Sequence, residues 1–96
     1  MVWENGHKAY IDVIAHFKPD GMIIPLRIKW GNSVYNVDKV TEILPRPSKI
    51  GGGAGIRYTI YIKARQKYIW LEHGTNKWFV EVEKGIESLY LYNEGN

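Results

Sequence analysis

The sequence has no cysteine, four prolines, two phenylalanines and two methionines in 96 residues. The absence of thiols removes disulfide staples and thiolate metal centres together, so a folded chain must rely on its packed core. The three histidines, His7, His16 and His73, are scattered. No two of them show metal-ligand spacing, and Asp12 and Glu72 add only isolated oxygen donors, so neither a metal nor a cofactor is expected. No apolar run approaches the ~20 residues that a membrane-crossing helix needs. The opening stretch Met1–Lys8 also lacks the basic-then-apolar layout of a secretory signal. Together these set the expectation of a soluble, cytoplasmic protein that engages no membrane.

Catalytic signatures are missing as well. Ser33, Ser48 and Ser88 sit in no nucleophile-elbow context. Asp12, Asp38, Glu42, Glu81 and Glu83 could supply a carboxylate pair, yet hydrolysis by such a pair needs a cleft that a single small domain seldom offers. Gly51–Gly55, four glycines and Ala54, could cradle an anion with its N–H groups, aided by Arg46, Lys49 and Arg57. A phosphate-binding loop, however, leads into a helix through Gly-Lys-Ser/Thr, and this cluster leads into a strand. The chain is expected not to be an enzyme.

What the chain does have is aromatic and β-branched residues in alternation. Four Trp and seven Tyr in one small domain fit pleated surfaces. The clearest segment is Ile56–Arg65. Ile56, Tyr58, Ile60, Ile62 and Ala64 fall on one face, and Arg57, Thr59, Tyr61, Lys63 and Arg65 on the other. That is a half-buried β-strand with a basic, aromatic outer surface. Tyr10–Lys18 fits a strand or a helix, but its β-branched content and the turn residues Pro19, Asp20 and Gly21 favour a hairpin with Ile23–Trp30. Pro25 inside the second strand marks an edge or a bulge.

Gly31 and Asn32 turn the chain into Ser33–Leu44, where alternation breaks once near Asp38 and Lys39. One extra residue there, a β-bulge, restores the order and helps a sheet curl. Two prolines and four glycines keep Pro45–Gly55 irregular. Beyond Arg65 the pattern predicts a turn at Gln66 and Lys67, strands over Tyr68–His73 and Lys77–Glu83, and a short helix over Ile86–Tyr92. The expected fold is all-β: a small curled antiparallel barrel of five or six strands, SH3-like or OB-like. Residues 1–9 read as a flexible N-terminus, 10–84 as the barrel domain and 85–96 as a C-terminal tail.

The blocks Ile24–Trp30, Tyr35–Val40 and Gly52–Thr59, with the closing Lys77–Glu81, resemble those of a group of small bacterial all-β proteins with no assigned activity. The resemblance runs from Val13 to Glu83. It implies a β module and transfers no catalytic residue.

Charge points to a partner. Residues 25–67 carry nine Lys or Arg against only Asp38 and Glu42, while both flanks are net acidic. Such asymmetry steers anions. Arg27, Lys29, Arg46, Lys49, Arg57, Tyr61, Lys63 and Arg65 are the residues expected to meet one. Cations neutralise phosphates and an exposed ring gives an unpaired base a platform, so the expected partner is single-stranded nucleic acid or RNA. No recognition helix is available for a duplex. The competing expectation is a protein partner or a homodimer. Trp70, Trp78 and Phe79 exceed what one small core holds, and an exposed aromatic cluster or an open strand edge would serve as the interface.

Overall fold

The computed structural model describes residues 7–46 and 55–82. Lys49, Gly51–Ala54 and the helix expected over Ile86–Tyr92 lie outside them. The fold is all-β. Seven strands, β1 (His7–Phe17), β2 (Ile23–Trp30), β3 (Ser33–Asn36), β4 (Lys39–Pro45), β5 (Gly55–Ile62), β6 (Arg65–Glu72) and β7 (Trp78–Val82), follow one another. They pair antiparallel in the order β3-β2-β1-β7-β6-β5-β4 and curl into a half-barrel.

Alternation decides which residues go inside. On β5, Tyr58, Ile60 and Ile62 are buried, and on β7 Trp78, Val80 and Val82 join them. Ile11, Ile28, Tyr35, Ile69 and Leu71 complete this core. Tyr58 also donates its hydroxyl to the Ile23 carbonyl at 2.7 Å, which ties β5 to β2 across the interior. Burial pushes that phenol above its usual pKa.

The curl comes from two bulges and one kink. On β2, Ile14 pairs with Arg27 and Ala15 with Pro25, so Leu26 is an extra residue beside the proline. On β4, Val40 pairs with Ile60 and Glu42 with Thr59, which leaves Thr41 as the extra residue. Between them the stretch read as one strand splits in two. Val37 N–H donates to the Leu26 carbonyl at 2.9 Å and Asp38 N–H to the Tyr61 carbonyl at 2.8 Å. The chain thus steps from β2 to β5 within two residues, which brings the two ends of the sheet together and accounts for the seventh strand.

Two boundaries differ from the expectation. β1 begins at His7, so residues 7–9 belong to the sheet, where Ala9 faces Val80. The β5–β6 turn falls at Lys63 and Ala64, with Ile62 paired to Arg65, and not at Gln66 and Lys67. Both turn residues have positive φ, 52° and 67°. That is the twist a two-residue hairpin of type I′ requires, although neither is Gly or Asn, the usual signal. The Asp38 carboxylate accepts the Lys63 N–H at 2.8 Å and holds the turn from outside. Ala64 therefore leaves the inner face and Lys63 leaves the row formed by Arg57, Thr59 and Tyr61.

Candidate nucleic-acid interface

The outer face of the β5–β6 hairpin is built by register. Arg57 lies opposite Trp70, Thr59 opposite Tyr68 and Tyr61 opposite Gln66. From the other side β4 brings Lys39 opposite Tyr61 and Glu42 opposite Thr59. These side chains connect. Tyr61 donates its hydroxyl to Gln66 Oε1 at 3.2 Å, and Gln66 Nε2 donates to the Tyr68 hydroxyl at 3.1 Å. Lys39 Nζ stands 4.8 Å from the centre of the Tyr61 ring, and the Arg57 guanidinium 4.4 Å from that of Tyr68. The result is two rings, joined through one glutamine, each with a cation above it.

Glu42 is the acid within this group. It accepts from Arg57 Nη2 at 3.1 Å and from Thr59 Oγ1 at 3.3 Å. The pairing uses one terminal nitrogen of the guanidinium. Arg57 Nε and, directly across the ladder, Trp70 Nε1 are buried donors with no acceptor.

Aromatic side chains continue the face across β6, β7 and β1. Tyr68 and Trp70 rings are tilted at 6.3 Å, Trp70 stacks on Phe79 at 5.6 Å and 7°, and Tyr10 meets Phe79 edge-on at 6.1 Å. Trp70 and Phe79 are only 5% and 2% exposed, while Trp78 sits in the core. Their burial corrects the expectation of an exposed Trp70, Trp78 and Phe79 cluster. The sheet uses both of its faces to bury rings, so these three need not compete for one small core.

Beyond Phe79 lies a polar brace. Glu72 accepts from Lys8 Nζ at 2.5 Å, from the Tyr10 hydroxyl at 2.9 Å and from Thr75 Oγ1 at 2.7 Å. Hydrogen bonds from Lys8, Thr75 and Tyr10, in that order, pull its carboxyl down to about 2. The same contact with Glu72 raises the pKa of Lys8. A carboxylate so fully satisfied cannot act as a proton acceptor near neutrality, and its role is to join β1 to β6 over β7.

Of the expected binding residues, Arg57 and Tyr61 stand together in this group. Lys63 lies in the turn at the end of the hairpin and Arg65 opens β6. Arg46 follows β4, its N–H bonded to the Gly55 carbonyl at 3.0 Å. Arg27 and Lys29 are exposed on β2, which is separated from β5 by the β3–β4 crossover one way and by β1, β7 and β6 the other. The basic residues are thus spread out: Arg46 lies at one end of β5, Lys63 and Arg65 at the other, and Arg27 and Lys29 on a distant strand. Sequence reasoning left Lys39 and Gln66 out of the site. Outward phase was the available signal for Gln66, once the turn is moved to Lys63. Lys39 comes alongside Tyr61 only through the kink, which local pattern does not show. Among the described residues no group of three or more His, Asp or Glu lies close enough to hold a metal ion.

No family model, curated protein or solved structure matches this chain. The functional reading therefore rests on the geometry of these side chains.

Proposed function

We propose that the protein is a non-enzymatic binding module that holds single-stranded nucleic acid or RNA on the outer face of β4, β5 and β6. The observation that carries this reading is the linked pair Tyr61–Gln66–Tyr68 with Lys39 and Arg57 over the rings. A tyrosine ring held in place by a hydrogen bond loses little freedom when a base takes the place of the cation over it, and the displaced cation meets the phosphate that follows. The Arg57 guanidinium, 21% exposed, gives Nη2 to Glu42, and a phosphate would share that partly exposed group. The polar groups around the rings are engaged with one another, Gln66 with both hydroxyls and Thr59 with Glu42, so stacking sets the preference and this face reads sequence weakly.

Binding of labelled oligothymidine and oligouridine by fluorescence anisotropy tests the reading. Each stacked base contributes about 1–3 kcal/mol, so Tyr61→Ala with Tyr68→Ala should weaken binding by at least about tenfold. Arg27→Glu with Lys29→Glu, on β2, should matter much less. Equal losses in the two double variants would place the contact elsewhere, and no saturable binding by the unmutated chain would remove it.

A further inference from the structure

The kink at Val37 leaves a slot in the wall of the half-barrel. β3 and Val37 cover the edge of β2 only from Trp30 to Leu26. Among the described residues, Ile23–Pro25 pair with β1 alone, and β4 pairs with β5 alone. Both one-sided edges border an open cleft of about 580 Å³, with Ile24, Pro25, Leu26, Val37, Val40 and Ile43 as its apolar lining and Asp38, Lys39, Thr41 and Glu42 as its polar one. Leu26, thrown outward by its bulge, is 45% exposed, and Ile14 opposite that bulge is 58% exposed.

The two edges are not equivalent. Pro25 has no N–H to offer, and the Ile23 carbonyl is occupied by the Tyr58 hydroxyl. The outer edge of β4 is where ladder bonds can form. Charge at the rim is already committed: Asp38 accepts from Lys63 N–H, Lys39 lies over Tyr61, and Glu42 takes Arg57. Two acids and one base line the slot, so it offers a polyanion no net attraction, and its apolar floor suits an uncharged occupant. A second copy of the chain is a poor fit, because an isologous contact needs a self-complementary patch and this one is recessed.

We propose that this slot binds an extended, uncharged segment of another protein, apolar at alternate positions, which adds as a strand along Lys39–Ile43. Strand addition draws affinity from main-chain hydrogen bonds and selectivity from pockets for every second side chain. Five residues of β4 span about 17 Å at the usual rise, so a partner segment of about five or six residues fills the slot. The slot borders the Tyr61–Tyr68 face at Lys39 and Glu42, but it uses the main-chain edge of β4 and not the two rings, so a ring variant tells the two sites apart.

The test uses the full chain and two capped peptides of one composition, flanked by glutamines. In one, valine alternates with threonine, and in the other the two residues occur in blocks. Binding is followed by amide shifts and hydrogen exchange. The alternating peptide should bind saturably and protect amides within 39–43. Leu26→Asp should weaken it by about tenfold or more by placing a charge against the apolar segment, whereas Tyr68→Ala should leave it unchanged. No saturable binding, equal binding of the block peptide, or protection that falls on another strand would overturn the proposal. So would protection of 39–43 that grows with protein concentration in the absence of peptide, since it would assign the edge to a second copy.

Discussion

The turn at Lys63 and Ala64 is the place where the fold and the local sequence disagree, and the disagreement has a measurable size. Both residues adopt positive φ, 52° and 67°. Left-handed backbone costs an L-residue with a Cβ about 1–2 kcal/mol. Glycine escapes this cost but gives up about 0.5–1 kcal/mol through the greater freedom of its unfolded chain. Ala64→Gly should therefore stabilise the domain by about 0.5–1 kcal/mol. Adding Lys63→Asn, which completes the favoured Asn-Gly pair, should bring the total to about 1–1.5 kcal/mol. For a domain of this size each kcal/mol moves the melting temperature by about 4–8 °C, so the double variant should melt about 5–10 °C higher. The reverse change, Ala64→Val, places a β-branched residue at φ 67° and should destabilise. Thermal and urea unfolding followed by circular dichroism read all three. A double variant no more stable than the parent, or a neutral Ala64→Val, would mean that the hairpin does not close through this turn. Because Ala64→Gly leaves every charge in place, it should not alter oligonucleotide binding.

Other perturbations follow from the same contacts. The Glu72 carboxyl is held from its ordinary 4.5 down to about 2 in the folded chain. Its contribution to stability is complete above 4.5 and lost as the pH falls toward 2. Glu72→Gln should therefore unfold more easily at neutral pH and flatten the stability curve across that window in acid titrations. Phe79, 2% exposed against Trp70, should cost about 3–5 kcal/mol when cut to alanine. Tyr10→Ala, at 52% exposure on the same row, should cost far less in the same denaturation assay. At Gly55 an added Cβ would stand 3.0 Å from the Leu71 carbonyl oxygen. Gly55→Ala should thus force β5 and β6 apart, at about 1–3 kcal/mol.

The inner phase of the strands was legible in the sequence. Tyr58, Ile60 and Ile62 on β5 and Trp78, Val80 and Val82 on β7 enter the core as their alternation predicts, but Thr59 and Phe79 on the opposite face are buried too. Pro25 announced its neighbouring bulge because proline cannot keep a ladder regular. The broken alternation near Asp38 announced a distortion, which the fold resolves as a kink at Val37–Asp38 followed by a bulge at Thr41. What stayed hidden depends on contacts between distant residues. The Lys63–Ala64 turn carries no Gly or Asn, and Asp38, 25 residues away, braces it. The binding group was half visible. Arg57 and Tyr61 share a strand and a phase, so pattern alone unites them. Lys39 enters only because the kink brings β4 beside β5. Arg27 and Lys29 share the same charge and outward phase, yet strand order sets them apart from this group. The Glu72 brace joins residues 64 positions apart and left no local trace.

Salt dependence of oligonucleotide affinity tests the central claim most directly. Lys39, Arg57 and one further cation at the hairpin end would engage about three phosphates, and single strands give about −0.7 in log affinity against log salt for each. The account predicts saturable binding of single-stranded oligonucleotide with a slope near −2, tighter than binding of a duplex of the same sequence. A flat salt response, or preference for the duplex, would contradict it.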